Sequence, residues 1–561
     1  MVSPSPRDGK VLRPMAPNFQ PYEPNQIFMM PPAISDWVAD GSLARFVNDA
    51  VEHMDERGEL GAFYAAYRSD GVGAAAFHPV LMLKVLLYCY CHGLTSSRKI
   101  AAAHENDVAV RYLSANQQPD FRTIALFRSR HLEALDGLFV KILVLCREAG
   151  LAKLGRVALD GRKVAGAAAL DQNRTLEGIR REVAGLLEKA GQEDRAEDER
   201  HGEALRGDEL PEGLRTKGGR LARLRAAQER LEAKASAERS KQETKIEERQ
   251  AEEERTGRKK RGRKPRAPEA AVNNEAKANV TDPDSRILKT RSHGFIQGYN
   301  GQAMVDCGGS QVIVAQGLTQ EENDQHQLAP MLAACEEQAG GAPDELLADA
   351  GYGIEENLRL ETGRTEFFVA TQKDYKMRKA LADAAKAEAA KAEAAKGCEC
   401  ATGPDGREAA EADGGASKTE TVARTSAVAP ALDGAVGRNA GTVAAQDESV
   451  GENAGTVETP GTNETAEPGE SARERMERKL KTERGRAAYR QRGSTVEPVF
   501  GQMVTSGLVR FALRGFARTA AEWSLWCSVH NLKKLWRSGW KAPNRALRFP
   551  QAAGQVAQAT G

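Results

Sequence analysis

Aromatic side chains make up only 5% of this 561-residue chain, and residues 397–470 contain none at all. A stretch without large apolar groups cannot bury enough surface to offset chain entropy, so 397–470 is expected to be disordered. Cysteine is sparse as well. Of eight cysteines, the only close pairs are Cys89/Cys91 and Cys398/Cys400. Neither pair is a CxxC, and no second pair stands at zinc-ligand distance, which argues against a zinc ribbon or finger. Thiols in a reducing compartment are the expectation instead. The apolar run Val80–Tyr90 contains Lys84 and is too short to span a bilayer. Pro4, Pro6, Arg7 and Asp8 precede any apolar run, so no secretion signal is read. These absences point to the cytoplasm and to no contact with a membrane.

A surplus of charge is missing overall, since the formal net charge is +1. That average conceals segregation. Residues 397–470 hold 4 basic and 14 acidic side chains, net −10, whereas 471–550 hold 18 basic and 5 acidic ones, net +13. A basic region of this kind points to a polyanionic partner, nucleic acid being the usual one.

Eight segments follow from the patterning. Residues 1–35 are Pro-rich and read as extended. Residues 36–150 read as helices: Val80–Tyr88 is apolar nearly all round, as in a helix buried within a bundle. Thr95 or Ser96, Asn106 or Asp107, and Asp120 can each open a short helix. The last carries Arg122, Arg128 and Arg130 and the first carries Arg98 and Lys99, an arrangement resembling a helix-turn-helix that touches DNA. An ordinary bundle with a basic wet face would read the same way. Residues 151–174 contain a short buried strand, Val157-Ala158-Leu159-Asp160, turned by Gly161. Residues 175–270 form a charged helical or coiled-coil insertion, interrupted near 207–219, and end in the basic linker Arg258–Arg266. In 271–380, strands at 298–306 and 311–318 precede a helix from about 324 to 338 and strands at 345–349 and 367–371, an α/β order. A helical spacer at 386–396 and the acidic stretch make up 381–470. Residues 471–545 read as helical again, with Trp523, Trp526 and Leu532 as apolar contacts, and 546–561 is a tail.

Phosphodiester chemistry requires an activated oxygen, a stabilised leaving oxygen and neutralisation of a highly charged centre, which two divalent cations about 3.5–4 Å apart can supply. Hard cations take oxygen ligands, so isolated acids after buried apolar runs are the candidates. Asp160 ends one such run before Gly161. Asp349 ends Leu346-Leu347-Ala348 before Ala350-Gly351. Glu497 precedes Pro498, with Glu522 the next acid to consider. Each position also has a plain structural reading: a turn Asp for Asp160, a helix cap for Asp349, and an acid at a helix start for Glu497.

Together these residues sit in an ordered set of phrases: FHPVLMLKVLLYCY (77–90), SSRKI (96–100), VALDGRKVAGAA (157–168), DPDSRILK (282–289), GYNGQAMVD (298–306), NDQHQLAPML (323–332), LADAGYG (347–353), VEPVFGQM (496–503) and RGFARTAAEWSLWCSVHNLKKL (514–535). In these phrases, which cover roughly half of the chain, it resembles the bacterial insertion-sequence transposases that pair a helical N-terminal domain with a DDE domain. The resemblance implies an α/β RNase H-like catalytic domain, split by insertions, behind a helical DNA-binding domain. It implies that Asp160, Asp349 and Glu497 are catalytic and hold two Mg²⁺ or Mn²⁺ ions. It maps Tyr489 and Arg492 onto a Tyr/Arg pair that accompanies the glutamate, where a guanidinium would grip phosphate. The partners implied are DNA, both element ends and target, and a second copy of the chain. Two departures stand out. Four residues, Gly493 to Val496, separate Arg492 from Glu497 where relatives usually have three, and Val504 replaces a lysine often found seven residues after the glutamate. Two alternatives share part of this pattern: a nuclease of the same fold without strand joining, and a non-catalytic DNA-binding descendant.

The charge segregation has a direct test. Deleting 397–470 should leave folding and cleavage intact and strengthen non-specific DNA binding at low salt, an effect screened beyond about 10 Å at 0.1 M. Binding through 471–550 should fall steeply with salt by counterion release. DNA affinity and cleavage across a salt series, with and without the stretch, check both; loss of folding or a flat salt dependence contradicts them.

Overall fold

A computed structural model of the chain describes residues 33–67, 75–201, 212–260, 262, 264–271, 275–290, 294–361, 363–372 and 470–543. The acidic stretch 397–470 (but for its last residue), the spacer 386–396, the first 32 residues and the tail 546–561 lie outside the described residues.

The N-terminal region is helical. A 3-10 turn, Ile34–Trp37, leads to α1 (Leu43–Glu56), α2 (Gly61–Tyr64), α3 (Pro79–Cys91), α4 (Ser97–Asn106), α5 (Val108–Leu113), α6 (Phe121–Arg130) and α7 (Leu132–Glu148). Local chemistry sets several starts. Asp107 accepts from the backbone of Ala109 and Val110 at the head of α5, and Asp120 accepts from Thr123 N at 2.6 Å to open α6. These bonds satisfy amides that the first turn leaves orphaned. Ser96 precedes α4 without such a bond. The apolar α3 is enclosed on nearly every side; its Lys84 ammonium donates to Asn48 at 2.9 Å and Glu52 at 2.7 Å.

A mixed sheet follows. Strand β1 (Arg156–Ala165) is its centre, followed by a short β2 (Asn173–Thr175). Two long, highly charged helices follow, α8 (Leu176–His201) and α9 (Glu212–Thr256), then α10 (Pro268–Ala271) and β3 (Lys277–Asn279), which pairs with β2. Ile179, Leu224, Ala227 and Leu231 pack with Ala278 and Val280 into a small core separate from the main one. Next come β4 (Arg286–Thr290), β5 (Gly294–Asp306), β6 (Ile313–Thr319), α11 (Leu328–Ala339), β7 (Glu345–Ala348), α12 (Glu355–Leu358) and β8 (Glu366–Val369). The long β5 pairs with β1 along one edge and with β4 and then β6 along the other. β1, β7 and β8 are parallel to one another. Three helices complete the described chain: α13 (Ala472–Lys481), α14 (Glu483–Thr505) and α15 (Phe516–Arg537). Among the described residues, no helix is long and apolar enough to cross a membrane.

The helical region and the sheet share one core. Trp526 of α15 packs against Tyr90 of α3, ring centroids 5.3 Å apart. Ser524 Oγ donates to Asp136 O at 3.0 Å, and Cys146 Sγ lies 3.8 Å from Asn531 O, tying α7 to α15.

Three local expectations change. β1 does not end at Asp160 but runs on through Gly161 to Ala165, because β5 supplies a partner for every residue from Val157 to Ala165. The helix expected from 324 begins at Leu328, since 320–327 is a loop. Glu497 does not start a helix. It lies inside α14, with Pro498 tolerated mid-helix.

Replacing Trp526 with Ala removes a fully buried indole at the junction of both regions. It should cost about 3–5 kcal/mol, and chemical denaturation should show the helical and sheet regions melting together at lower denaturant. An unchanged midpoint would mean the two regions are independent.

Candidate functional site

Strand register places the first two acids. In the parallel pairing of β1 with β7, Leu159 stands opposite Ala348. Asp160, the next residue of β1, and Asp349, the first residue after β7, follow that pair, so their backbones emerge side by side. Asp349 Oδ1 accepts from Gly351 N at 2.8 Å, a turn closed by the side chain that holds the acid where the strand stops. Asp160 is mostly buried. Its Oδ1 accepts from Gly161 N at 2.8 Å and its Oδ2 faces Arg492 Nη1 at 3.2 Å. Burial, with the charge of Asp349 adding to it, pushes the Asp160 carboxyl up to about 7, and the Arg492 guanidinium offsets this only in part. Burial alone disfavours the anion; a nearby like charge disfavours it further.

Helix α14 carries the third acid. Arg492 is buried, with its guanidinium carbon 5.9 Å from the Tyr489 ring centroid. Glu497 is different: its side chain is 57% exposed, and its Oε1 stands 3.7 Å from Arg492 Nη2. Arg492 therefore lies between Asp160 and Glu497. The helix is positioned through Gln311 at the β5–β6 turn, one of the few non-glycine residues with a left-handed backbone, φ 58°. Pro498 has no N–H to offer Ser494 O four residues earlier, and that oxygen accepts from Gln311 Nε2 at 3.4 Å instead. Gln502 Nε2 and Lys534 Nζ each donate to Gln311 Oε1 at 2.9 Å, and His530 Nε2 donates to Gln311 O at 2.9 Å. One turn residue thus anchors both α14 and α15.

The structure adds an acid that the sequence reading did not single out. Asp324, on the loop before α11, stands beside Asp160 and Asp349. A Cβ at Gly351 would meet Asp349 Oδ1 at 2.9 Å and Asp324 Oδ2 at 3.7 Å. Asn300 Nδ2 and Gln302 Nε2 each donate to Asp324 Oδ1 at 2.7 Å. Tyr352, fully buried, donates its hydroxyl to Gln302 Oε1. Burial and the three aspartates hold that phenol far above its ordinary range, so it remains a donor. The search for acids after apolar strands passed over Asp324 because it follows a polar loop; its only signal was its place in the phrase NDQHQLAPML.

The basic residues of the helical region divide. Arg98, Lys99, Arg122 and Arg130 are exposed, and Arg98 and Arg122 flank the Phe121 ring at 5.1 and 5.6 Å. Arg128 is turned inward: its guanidinium donates to Tyr90 OH at 3.1 Å, to Thr95 O at 2.7 Å and to Ser97 Oγ. It braces α6 against α3 and α4 and does not face a groove of DNA. Glu522, the reserve candidate for the third acid, is buried on α15 and accepts from the backbone of Ala512 and Leu513 at 2.8–3.0 Å. It serves the fold. A groove of about 480 Å³ beside α14 and α15 is lined by Lys533, Lys534, Arg537, His530 and Gln502 among others.

Among the described residues, no three His, Cys, Asp or Glu side chains converge closely enough to hold a bare metal ion as they stand. The chemistry of the donors nevertheless suits a hard divalent cation: carboxylates only, with Arg492 offsetting the crowded charge of Asp160 only in part. Mg²⁺ retains several waters and takes one or two carboxylates directly, so acids need not close on a point.

Residues 32–130 match the family described as Transposase domain (DUF772), and residues 456–536 match the family described as Transposase DDE domain. The first match contains Arg98, Lys99, Arg122 and Arg130; the second contains Tyr489, Arg492 and Glu497. Neither reaches Asp160 or Asp349. No curated protein and no solved structure matches the chain.

Asp160→Asn relieves a buried, crowded charge while keeping its shape. At pH 8 and without divalent cations, the variant should melt at a higher temperature than the wild type. Added Mg²⁺ should stabilise the wild type and leave the variant unmoved. Thermal unfolding with and without Mg²⁺ checks this, and an equal Mg²⁺ response in both proteins would count against Asp160 as a ligand.

Proposed function

We infer that this chain, a DDE transposase of the insertion-sequence type by its two transposase domains, cuts and joins DNA with Asp160, Asp349 and Glu497 as its catalytic acids on an RNase H-like sheet. The observation that carries the reading is the placement of Asp160 and Asp349 immediately after the Leu159–Ala348 pair of two parallel strands, with the helix bearing Arg492 and Glu497 beside them. The sheet supports it too, since antiparallel β4, β5 and β6 on one side and parallel β7 and β8 on the other enclose the strand that bears the first acid.

The three acids would hold two divalent cations, Mg²⁺ or Mn²⁺, which when bound neutralise phosphate charge and activate a water or 3′-hydroxyl oxygen. The chain's own groups do the rest. Asp160 stands beside the like charge of Asp349, which Arg492 offsets only in part, and so favours a cationic occupant. Arg492 is a planar fork of N–H donors suited to a phosphate's paired oxygens. Tyr489 faces that guanidinium and restricts its orientation. Glu497 is exposed and free to turn toward Asp160 and Asp349 once Arg492 engages a phosphate. Arg98, Lys99, Arg122 and Arg130 offer backbone contacts on the helical region, and the Lys533/Lys534/Arg537 groove offers more. Phosphate contacts of this kind position a duplex without reading its sequence. Because two ends must be handled together, the working unit is a dimer on DNA in the cytoplasm.

Asp349→Asn should lower Mg²⁺-dependent strand cleavage by several orders of magnitude while DNA binding persists. Glu497→Gln should alter stability by about 1 kcal/mol or less, as for an exposed charge on a helix, yet abolish cleavage. Cleavage and strand-transfer assays on end-bearing DNA, with affinity measured in parallel, check both. A folded variant that cleaves at the wild-type rate would remove that residue from the triad, and cleavage without joining would make the protein a nuclease.

A further inference from the structure

We propose that Asp324 is a fourth carboxylate of the cation site, facing the divalent ion from the side of the sheet opposite Arg492. This rests on the reading of Asp160 and Asp349 as metal ligands and extends it to a residue outside the triad.

The placement comes from the pleat. Asp160 pairs with Ala303 and Gly161 with Gln302, so Asp160 and Gly161 project to opposite faces of the sheet. Arg492 reaches Asp160 from the α14 face. On the other face, Gly161 leaves a space that Asp324 Oδ1 and Gln302 Nε2 fill, and any Cβ there would collide with both. Gly351 leaves the equivalent space between Asp324 and Asp349. The two glycines are what let Asp324 approach both acids.

The hydrogen bonds fix which atoms point where. The Tyr352 hydroxyl donates to Gln302, so that amide presents its oxygen to the phenol and its N–H to Asp324. Asn300 directs its own N–H to the same Oδ1. Both donors converge on one oxygen of Asp324, and Oδ2 is left on the Asp349 side. No Lys or Arg among the described residues pairs with it.

A second observation points to an occupant. Asn300 is 1% exposed, and with its N–H committed to Asp324 its Oδ1 is buried without a hydrogen-bond partner. That oxygen lies 3.1 Å from the Cβ position of Gly161, the neighbour of Asp160. Turning the amide over would set its oxygen against the Asp324 carboxylate, so the orphan cannot be cured by a flip. A buried acceptor left unpaired costs free energy. Three aspartates and a neutral oxygen supply acceptors on this side of the chain that a hydrated divalent cation would satisfy, the carboxylates holding the ion or its water shell and the Asn300 oxygen taking a hydrogen bond from that shell. Partners in the outer shell of a metal site commonly set its affinity.

The test is Mn²⁺ binding to the full-length chain without DNA, followed by calorimetry and by the Mn²⁺ electron paramagnetic resonance signal. Asp324→Asn keeps the size and an acceptor oxygen, so a merely structural role would survive. The proposal expects Mn²⁺ affinity to fall about ten- to hundredfold, with circular dichroism unchanged and the exposed neighbour Glu321→Gln binding as the wild type does. A folded Asp324→Asn protein with wild-type affinity overturns the proposal. Asp160→Asn separates the two levels: if it loses Mn²⁺ while Asp324→Asn does not, the triad reading stands and this proposal falls; if neither changes affinity, the triad reading has failed. Should Asp324→Asn not fold, Asn300→Leu removes both the donor and the orphan oxygen. It should weaken Mn²⁺ at least tenfold by the same reasoning, and unchanged affinity would overturn the proposal.

Discussion

Two aspartates forced side by side by a parallel strand register are the constraint from which the rest of this site follows. Nothing in the hydrogen bonding of β1 and β7 can move Asp160 away from Asp349, because the apolar residues behind them, Val157 to Leu159 and Leu346 to Ala348, are locked in the core. The fold therefore carries like charges together in a partly dry place. It answers with Arg492 on one face and leaves Asp160 with a carboxyl near 7. An arrangement that resists its own charge is poorly suited to a purely structural role and well suited to gaining a cation.

The surrounding architecture serves to hold this tension. α14 is pinned through Gln311, whose strained backbone lets a single side chain and carbonyl serve Ser494, Gln502, His530 and Lys534. Proline within α14 frees the carbonyl that Gln311 uses. Trp523 of α15 packs on Gly301, across β5 from the strand that bears Asp160, and Trp526 joins the same helix to α3. The helical region is thus part of the support for the acids. Helix α6, with Arg122 on its wet side and Arg128 in the core, is doing two jobs at once.

Much of this was legible in the order of residues. Helix starts at Asp107 and Asp120 follow from local capping chemistry and occur where the spacing predicts them. The strands at β5, β6, β7 and β8 follow from apolar runs between turn residues, and α3 from its continuous apolar surface. Acids at the ends of such runs drew attention to Asp160 and Asp349. Two of the misreadings share one cause: a residue's local preference was overridden by what lay across from it. Gly161 reads as a turn, yet β5 offers it a partner; the same glycine is needed because Asp324 presses against it. Glu497-Pro498 reads as a helix start, yet Gln311 satisfies the carbonyl that proline strands, and the helix passes through.

What the chain determined by itself is therefore the inventory and the elements: which segments are helix or strand, where charge gathers, and which acids follow buried runs. Periodicity and capping are short-range, and a linear sequence displays them. Tertiary structure alone decided which acids meet and which basic groups are available. Asp324 comes beside Asp160 and Asp349 only because the fold brings residues 160, 300, 302, 324 and 351 together from four separated places. Arg128 is lost to the surface only because α3 and α4 lie where its guanidinium can bond them. Such proximity depends on strand order and helix packing, which no window along the sequence contains.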